Sequence, residues 1–305
     1  MRLSIRTLSY VFMCVLGMGL AVAQKVEYTP AELFWRKEEF FHARKAKGAT
    51  AVWGAGYGLT LGALGAAWYG GQSWGKFRFF DDAHEWKQID KFGHAYAGYQ
   101  FSRAAMETAK WAGCGRKSVL WGATTGFWML LPIEIFDGFM EKYGASWSDV
   151  AANAIGPTLA LVNELAWGRQ RIHFKVGFSP TEYPRLRPDL LGRNFPQQLL
   201  KDYNGHTFWL SYSPCDIWGR WPKWLCLSVG YGAGGLLGGY GKEDPQAVAE
   251  REFRRYHFSL DVDLTQIPTR KPGLKLLFGI LNAVKLPFPS VEFSRKGVGW
   301  RPMHF

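Results

Sequence analysis

The sequence predicts an α+β protein: a membrane-associated N-terminal helical bundle, then a C-terminal antiparallel β-sheet or partial barrel. Three observations lead there. Apolar residues recur with helical spacing as far as Trp167. Beyond Trp167 they alternate with polar residues, the period of a strand with one apolar face. The chain also opens like an exported protein, with Arg2 and Arg6, the apolar run Leu8–Leu20, and Ala21-Val22-Ala23 as a cleavage site before Gln24. The expected organisation is a signal peptide over 1–23, a helical bundle over 24–170 and an antiparallel β region over 171–305.

Composition narrows the partners. The chain is 48% hydrophobic and 16% aromatic, with 15 Trp and 36 Gly among its 305 residues, which suits a protein that meets lipid. Its formal charge is +12, yet the bases are spread, thickest at Arg169–Arg193 and Arg251–Arg255, and no nucleic-acid module is recognisable. A membrane or anionic lipid surface is therefore the expected partner, with an outer-membrane assembly as a further candidate and nucleic acid excluded. The expected location is the cell envelope, in the periplasm or at the outer membrane. Cys14 follows the bulky Met13 and makes a poor lipid-attachment cysteine. Cleavage leaves Cys114, Cys215 and Cys226, without a CxxC or a His/Cys metal spacing.

The helical elements follow in order. Thr29-Pro30-Ala31-Glu32 is a capping box with proline at the first helical position, and Leu33–Lys47 continues as a charged amphipathic stretch suited to a membrane surface. Gly48–Gly75 carries no charge, and its Gly54, Gly58 and Gly62 form a stripe of the kind used for close approach between membrane helices. It reads either as a bilayer-crossing helix or as a buried core helix. Lys76–Trp86 is an aromatic, charged connector. Helices are expected over roughly Trp86–Ala112, Arg116–Asp137 and Trp147–Trp167, with turns at Gly113-Cys114-Gly115 and Tyr143-Gly144-Ala145. Their uncharged cores, Ser118–Ile133 and Val150–Asn163, are short for spanning and read as core or membrane-dipping helices. Ser146-Trp147-Ser148-Asp149 is a second helix start, and Pro157 should kink the helix that it opens.

The strands come next. Alternation runs through Phe174–Phe178, Thr207–Ser213, Leu227–Gly232 and Tyr256–Leu264, and a fifth strand begins at Val291. These strands resemble those of outer-membrane barrels in length and composition, but five are few for a closed barrel, and a sheet packed on the helices is slightly preferred. Asp202-Tyr203-Asn204-Gly205-His206 contains an Asn-Gly turn signal. Pro214–Trp224 carries Trp218, Trp221 and Trp224 between Cys215 and Cys226. Consecutive strands usually pair, so these two cysteines face each other across the loop and a disulfide is expected, with Cys114 left reduced.

The chemistry concentrates in three polar pairs. Asp90 and His94 are four apart and share a helix face, with Lys91 beside them; Glu134 and Asp137 close the next helix; Asp149 and Asn153 open the third. In an up-and-down bundle those start, end and start positions lie at one end, so the residues should converge. Asp90, Glu134, Asp137 and Asp149 with His94 suit a divalent cation, the one cofactor these residues point to, which would activate water against a phosphoester or acyl lipid. Without metal, His94 oriented by Asp90 can act as a general base. No Ser-His-Asp order or G-x-S-x-G elbow is present. The local alternative is that helix ends attract acids and caps for their own sake, that Lys91 neutralises a carboxylate, and that His94 is a hydrogen-bonded core residue.

Two resemblances rest on these residues. Asp90-Lys91-x-x-His94, then Glu134 with a polar partner, then Ser148-Asp149-Val150-x-x-Asn153-x-x-Gly156 is similar to the polar signature of the VanZ-like membrane family. Asp137 stands where that pattern tends to have Gln. Over most of its length the chain resembles the YfiM-type family of predicted periplasmic proteins of unknown function. That longer match is carried by Asp202–Ser211, Leu260–Leu264 and Pro287–Phe293. The resemblance implies an envelope protein and supplies no reaction. N-terminal sequencing of the protein recovered from the envelope should read Gln24 first; an intact Met1–Ala23 would overturn the export reading.

Overall fold

The computed structural model describes residues 42–64, 73–141, 144–239 and 252–305. The export signal, the Thr29–Glu32 capping box, most of Leu33–Lys47 and residues 65–72 of the uncharged stretch lie outside them. Helix α1 (Ala43–Leu64) packs through Trp53, Tyr57 and Leu61, spaced one helical turn apart, onto Ala97, Phe101, Leu130 and Ile133. The Tyr57 hydroxyl donates to the Met129 carbonyl at 2.7 Å. The expected close-approach stripe is not used among the described residues, because a Cβ built on Gly54, Gly58 or Gly62 meets nothing within 4 Å. The bulky aromatics on the other face took the packing, where they bury more apolar area than glycine can.

Helices α2 (Ile89–Trp111), α3 (Arg116–Gly122), α4 (Thr125–Phe139) and α5 (Trp147–Trp167) form the bundle. The single helix expected over Arg116–Asp137 is two, broken by a turn at Ala123-Thr124. Together they make a helical stretch, Arg116–Phe139, long and apolar enough to cross a membrane. Helix α2 is the axle, and glycine lets its neighbours touch its backbone. A Cβ on Gly126 would overlap the Gly98 carbonyl oxygen, and one on Gly156 would overlap that of Ala95. Helix α5 starts at Ser146, whose hydroxyl accepts from the Asp149 amide at 3.2 Å, and ends at Gly168, which adopts φ 64°.

Six strands follow among the described residues, one more than the alternation marks. They are β1 (Ile172–Phe178), β2 (His206–Tyr212), β3 (Leu225–Gly234), β4 (Phe253–Val262), β5 (Phe288–Ser294) and β6 (Gly297–His304), all antiparallel and in sequence order. Gly297, Gly299 and Pro302 hide β6 from a pattern reading. The Asn-Gly signal makes a turn, but between the short helix at Phe195–Lys201 and β2, not in a hairpin. There the Asn204 side chain bonds both the amide and the carbonyl of Leu236, at 2.7 and 2.9 Å.

Register places the apolar alternates on one face: Phe174, Phe208, Leu210, Leu227, Val229, Tyr231, Tyr256, Phe258, Leu260, Val291, Phe293, Val298 and Trp300. Helix α2 covers one end of it. Phe92 stacks on Tyr231 at 4.5 Å, and Tyr96 meets Phe174 and Phe208. One apolar cluster therefore joins bundle and sheet, from Tyr96 and Tyr99 through Phe174 and Phe208 to Ala283.

The opposite face is polar and buried. Lys175 bonds Asp261 at 2.8 Å, the Val262 carbonyl at 2.7 Å and Asn282 at 3.0 Å. Lys285 bonds the Leu260 and Leu286 carbonyls at 2.8 and 2.9 Å, and its ammonium lies over the Trp209 ring. The sheet curls around this network. His304 on β6 stacks on His257 of β4 at 4.4 Å and reaches Thr207 of β2 at 3.2 Å. Strands β1 and β6 do not pair, so the sheet stays open.

The expected disulfide is absent: Cys215 and Cys226 both keep their thiols, as does Cys114. The register explains it. Tyr212 pairs with Leu227, which sets Cys226 opposite Ser213, while Cys215 sits two residues further on in a turn at Pro214–Asp216. Cys226 faces the interior, where burial pushes its thiol up to about 12.

Burial pushes the His206 imidazole down to about 4, although the Leu199 carbonyl accepts from it at 3.0 Å. The unfolded chain protonates near 6.5, whereas the folded chain stays neutral until about 4. This contribution is complete above pH 6.5 and drains away as pH falls toward 4, because the unfolded state binds the proton first. Thermal unfolding across that window should show the loss, and His206→Asn should make it shallower, the buried His257 and His304 supplying the remainder; parallel profiles for the two proteins would refute the assignment.

Candidate functional site

The first turn of α2 presents Asp90, Lys91 and His94 to the start of α5 and the end of α4. The Lys91 ammonium is the hub. It donates to Asp82 at 2.7 Å, to Asp90 at 3.3 Å and, by a shorter contact, to Asp149. Asp82 also accepts from the hydroxyls of Ser146 and Ser148, the latter at 2.9 Å. The Tyr203 hydroxyl donates to the other Asp90 oxygen at 2.9 Å, tying the cluster to the loop before β2. Asp82, Asp149 and Ser146 are fully buried, and Asp90 and Tyr203 nearly so.

His94 stands between the remaining groups. Its Nδ1 lies 2.8 Å from Asn153 Oδ1 and 3.7 Å from Glu134 Oε1, and its Nε2 lies 3.6 Å from Asp149 Oδ1. The imidazole thus spans Asn153 on its Nδ1 side and Asp149 on its Nε2 side, and its tautomer follows the orientation of the Asn153 amide. Glu134 also accepts from the Ser146 amide at 3.4 Å. Asp137, fully buried, follows Glu134 by one turn on the same face of α4. The structure thus brings Asp90, Lys91, His94, Glu134, Asp149 and Asn153 together at one end of the bundle, with Asp137 adjoining.

Ligand atoms of Asp90, His94 and Asp149 all lie within 4.8 Å of one another, a grouping able to hold a metal ion. Oxygen and neutral imidazole donors suit a divalent cation. The Lys91 ammonium already bonds two of these three residues, so a cation must share or displace it. Without metal, His94 is the group of the cluster suited to exchange a proton.

Three contributors escape a reading of the sequence. Asp82 sits in the aromatic connector and Tyr203 more than a hundred residues from its partner, while Ser146 looks like a cap alone. Only the Asp81-Asp82 pair ahead of a helix hinted at the first.

A segment rich in aromatics runs along the same end of the bundle. Residues 73–80 are laced to the bundle by backbone bonds from Gly75 to Phe139, Arg78 to Gly138 and Phe80 to Ala145, each 2.8–2.9 Å. Phe79 stacks on Trp147 at 4.8 Å, Phe77 packs edge-on against Phe139 at 5.2 Å, and all four rings are exposed. After this segment, Trp86, Lys87 and Gln88 adopt φ of 51°, 51° and 63°, a left-handed turn of non-glycine residues. Such residues cost about 1–2 kcal/mol each. The turn is held from the sheet, where Tyr231 donates to the Lys87 carbonyl and Arg254 bonds Gln88 at 2.7 Å.

Removing the hub strands buried carboxylates. Lys91→Met should destabilise the protein by about 3–5 kcal/mol, the cost of breaking a buried pair from one side. Denaturant unfolding near neutral pH measures it, and an unchanged midpoint would show that Lys91 does not balance the cluster.

No curated protein and no solved structure matches the chain. Residues 78–164 match the model of a family described as "Predicted periplasmic lipoprotein (DUF2279)". That stretch runs from the aromatic segment to the last turn of α5 and contains every residue of the cluster except Tyr203. The family's description agrees with the expected location in the cell envelope.

Proposed function

We propose that this envelope protein binds a lipid or another envelope component at the aromatic-rich end of its bundle, the polar cluster taking the headgroup. One observation carries the reading: the exposed rings of Phe77, Phe79, Phe139 and Trp147 belong to the segments that frame the buried carboxylates, lysine and histidine, Trp147 lying between Ser146 and Ser148 of the cluster. The Trp147 ring suits the membrane–water boundary, and the three phenylalanines offer apolar surface beside it. A headgroup placed there meets hydroxyl and carboxylate acceptors and the Lys91 ammonium, while its apolar part meets the rings. Segment 73–84 has to yield for entry, and its exposed aromatic contacts are the cheapest to open. The finer likeness to YfiM-type and VanZ-like proteins, and an outer-membrane assembly as partner, belong to this proposal.

A second reading has its own observation, the proximity of Asp90, His94 and Asp149. On it the site holds a divalent cation and hydrolyses an envelope lipid or phosphoester, with Asp90, His94, Glu134, Asp137 and Asp149 as the candidate catalytic set. Calorimetric titration with Mn²⁺ separates the two. The hydrolase reading expects binding that His94→Ala abolishes, and unchanged affinity in that variant removes His94 as a ligand.

The first reading is tested by mass spectrometry of lipids that copurify with the full chain in mild detergent. One lipid class should be enriched over the surrounding membrane, and the surface variants Phe79→Ala and Trp147→Ala should lose it. Lipid that mirrors the bulk membrane in wild type and variants alike would overturn the proposal.

A further inference from the structure

We propose that the bare part of the sheet's apolar face, on β3–β6, lies against the acyl chains of a lipid bilayer. This surface is separate from the polar cluster, and the inference stands or falls without it.

The sheet is inverted relative to one that folds in water. Its buried face carries Lys175, Asp261, His257 and Ser211 and receives the Lys285 ammonium from the segment before β5, whereas its exposed face carries Val229, Tyr256, Phe258, Phe293, Val298 and Trp300. Phe258 is 54% exposed and Val298 71% exposed, while Lys175 and Lys285 are wholly buried. A sheet in water gains by turning its apolar alternates inward. Polar inside and apolar outside is the arrangement that hydrocarbon rewards.

The outward positions are contiguous by register. Val229 pairs with Phe258, Phe258 with Val291, and Val291 with Trp300, so side chains from four strands form one surface. No charge interrupts it between Val262 and Tyr256 on the outward positions of β4; the next, Arg254, is exposed and opposite Ala233. At the other end Leu225 pairs with Val262, just after the loop that exposes Trp218 and Trp224. An apolar band bordered by tryptophan at one end and arginine at the other has the ends of a membrane-facing surface.

The occupant is lipid and not a folded partner because the same polarity recurs elsewhere in the chain. Arg116–Phe139, apolar enough to cross a membrane, exposes Trp121, Trp128, Ile135 and Phe136, and only 33% of its most apolar window is buried. Helix α6 (Pro272–Leu281), between β4 and β5, exposes Leu274, Leu277 and Leu281, with Lys271 and Lys275 beside them. One solvent explains three apolar surfaces. An open sheet cannot bring an unpaired edge into hydrocarbon, so the contact is made by the face, within one leaflet.

The test places a reporter on the face. Phe258→Cys or Val298→Cys, in full-length protein with Cys14, Cys114 and Cys215 changed to serine, is labelled with nitrobenzoxadiazole and reconstituted in phosphatidylethanolamine–phosphatidylglycerol vesicles. Glu182→Cys, on an exposed polar turn, serves as the aqueous reference. Doxyl-labelled acyl chains should quench the label at 258 and 298 while iodide does not, and the reference should show the reverse. Quenching by iodide alone would overturn the proposal. So would shielding from both quenchers at both sites, which would mean that a second copy or another protein covers the face. Two positions keep the result readable if one substitution perturbs β4.

Discussion

The backbone contact of α2 with α4 and α5 is the constraint on which the rest of the molecule depends. The helix separations at Gly126 and Gly156 leave no room for a Cβ. Any larger residue forces the helices apart by more than the slack of the polar bonds beyond them. Asp149 and Asn153 reach Lys91 and His94 only because α5 crosses α2 at that distance, two turns and one turn before Gly156 respectively. Small residues at a crossing are also how membrane helices associate, where packing rather than the hydrophobic effect drives contact.

Two buried ionic networks anchor opposite halves of the fold. Around Lys91 several carboxylates converge; around Lys175 and Lys285 two ammonium groups share Asp261. Burying such groups costs several kcal/mol per ion unless good geometry and further hydrogen bonds repay it. Backbone and hydroxyl partners repay part of that cost in both networks, Ser146 and Ser148 in one, Ser211 and the Val262 carbonyl in the other. Neither adds much to stability relative to an apolar core, but each admits few alternative arrangements. The first gathers three helix ends, and the second fills the concave side of the sheet.

The halves are coupled through the left-handed turn at Trp86–Gln88. It is pinned by Tyr231 and Arg254 of the sheet and by the edge-on contact of Trp86 with Tyr203, whose hydroxyl reaches Asp90. A disturbance of β3 or β4 is thereby one residue away from the cluster, and the unfavourable backbone persists because both sides hold it.

The sequence by itself determined the class of each half and the parity of every strand it marked, because side-chain period depends only on local backbone geometry. It also marked Asp90, His94, Glu134, Asp149 and Asn153 as neighbours in space, since helix ends in an up-and-down bundle alternate predictably. The tertiary structure decided which face of the sheet is inside. Alternation is symmetric between faces, and here the polar residues, among them Lys175 and Asp261, occupy the interior. It decided that the Gly54–Gly62 stripe faces outward, because Trp53 and Tyr57 compete for the same contact and win on area. It decided against the Cys215–Cys226 bridge through a register that no loop length specifies. Asp82 and Tyr203 joined the cluster from distant segments. Such long-range pairs leave no local period, so only the packed chain reveals them.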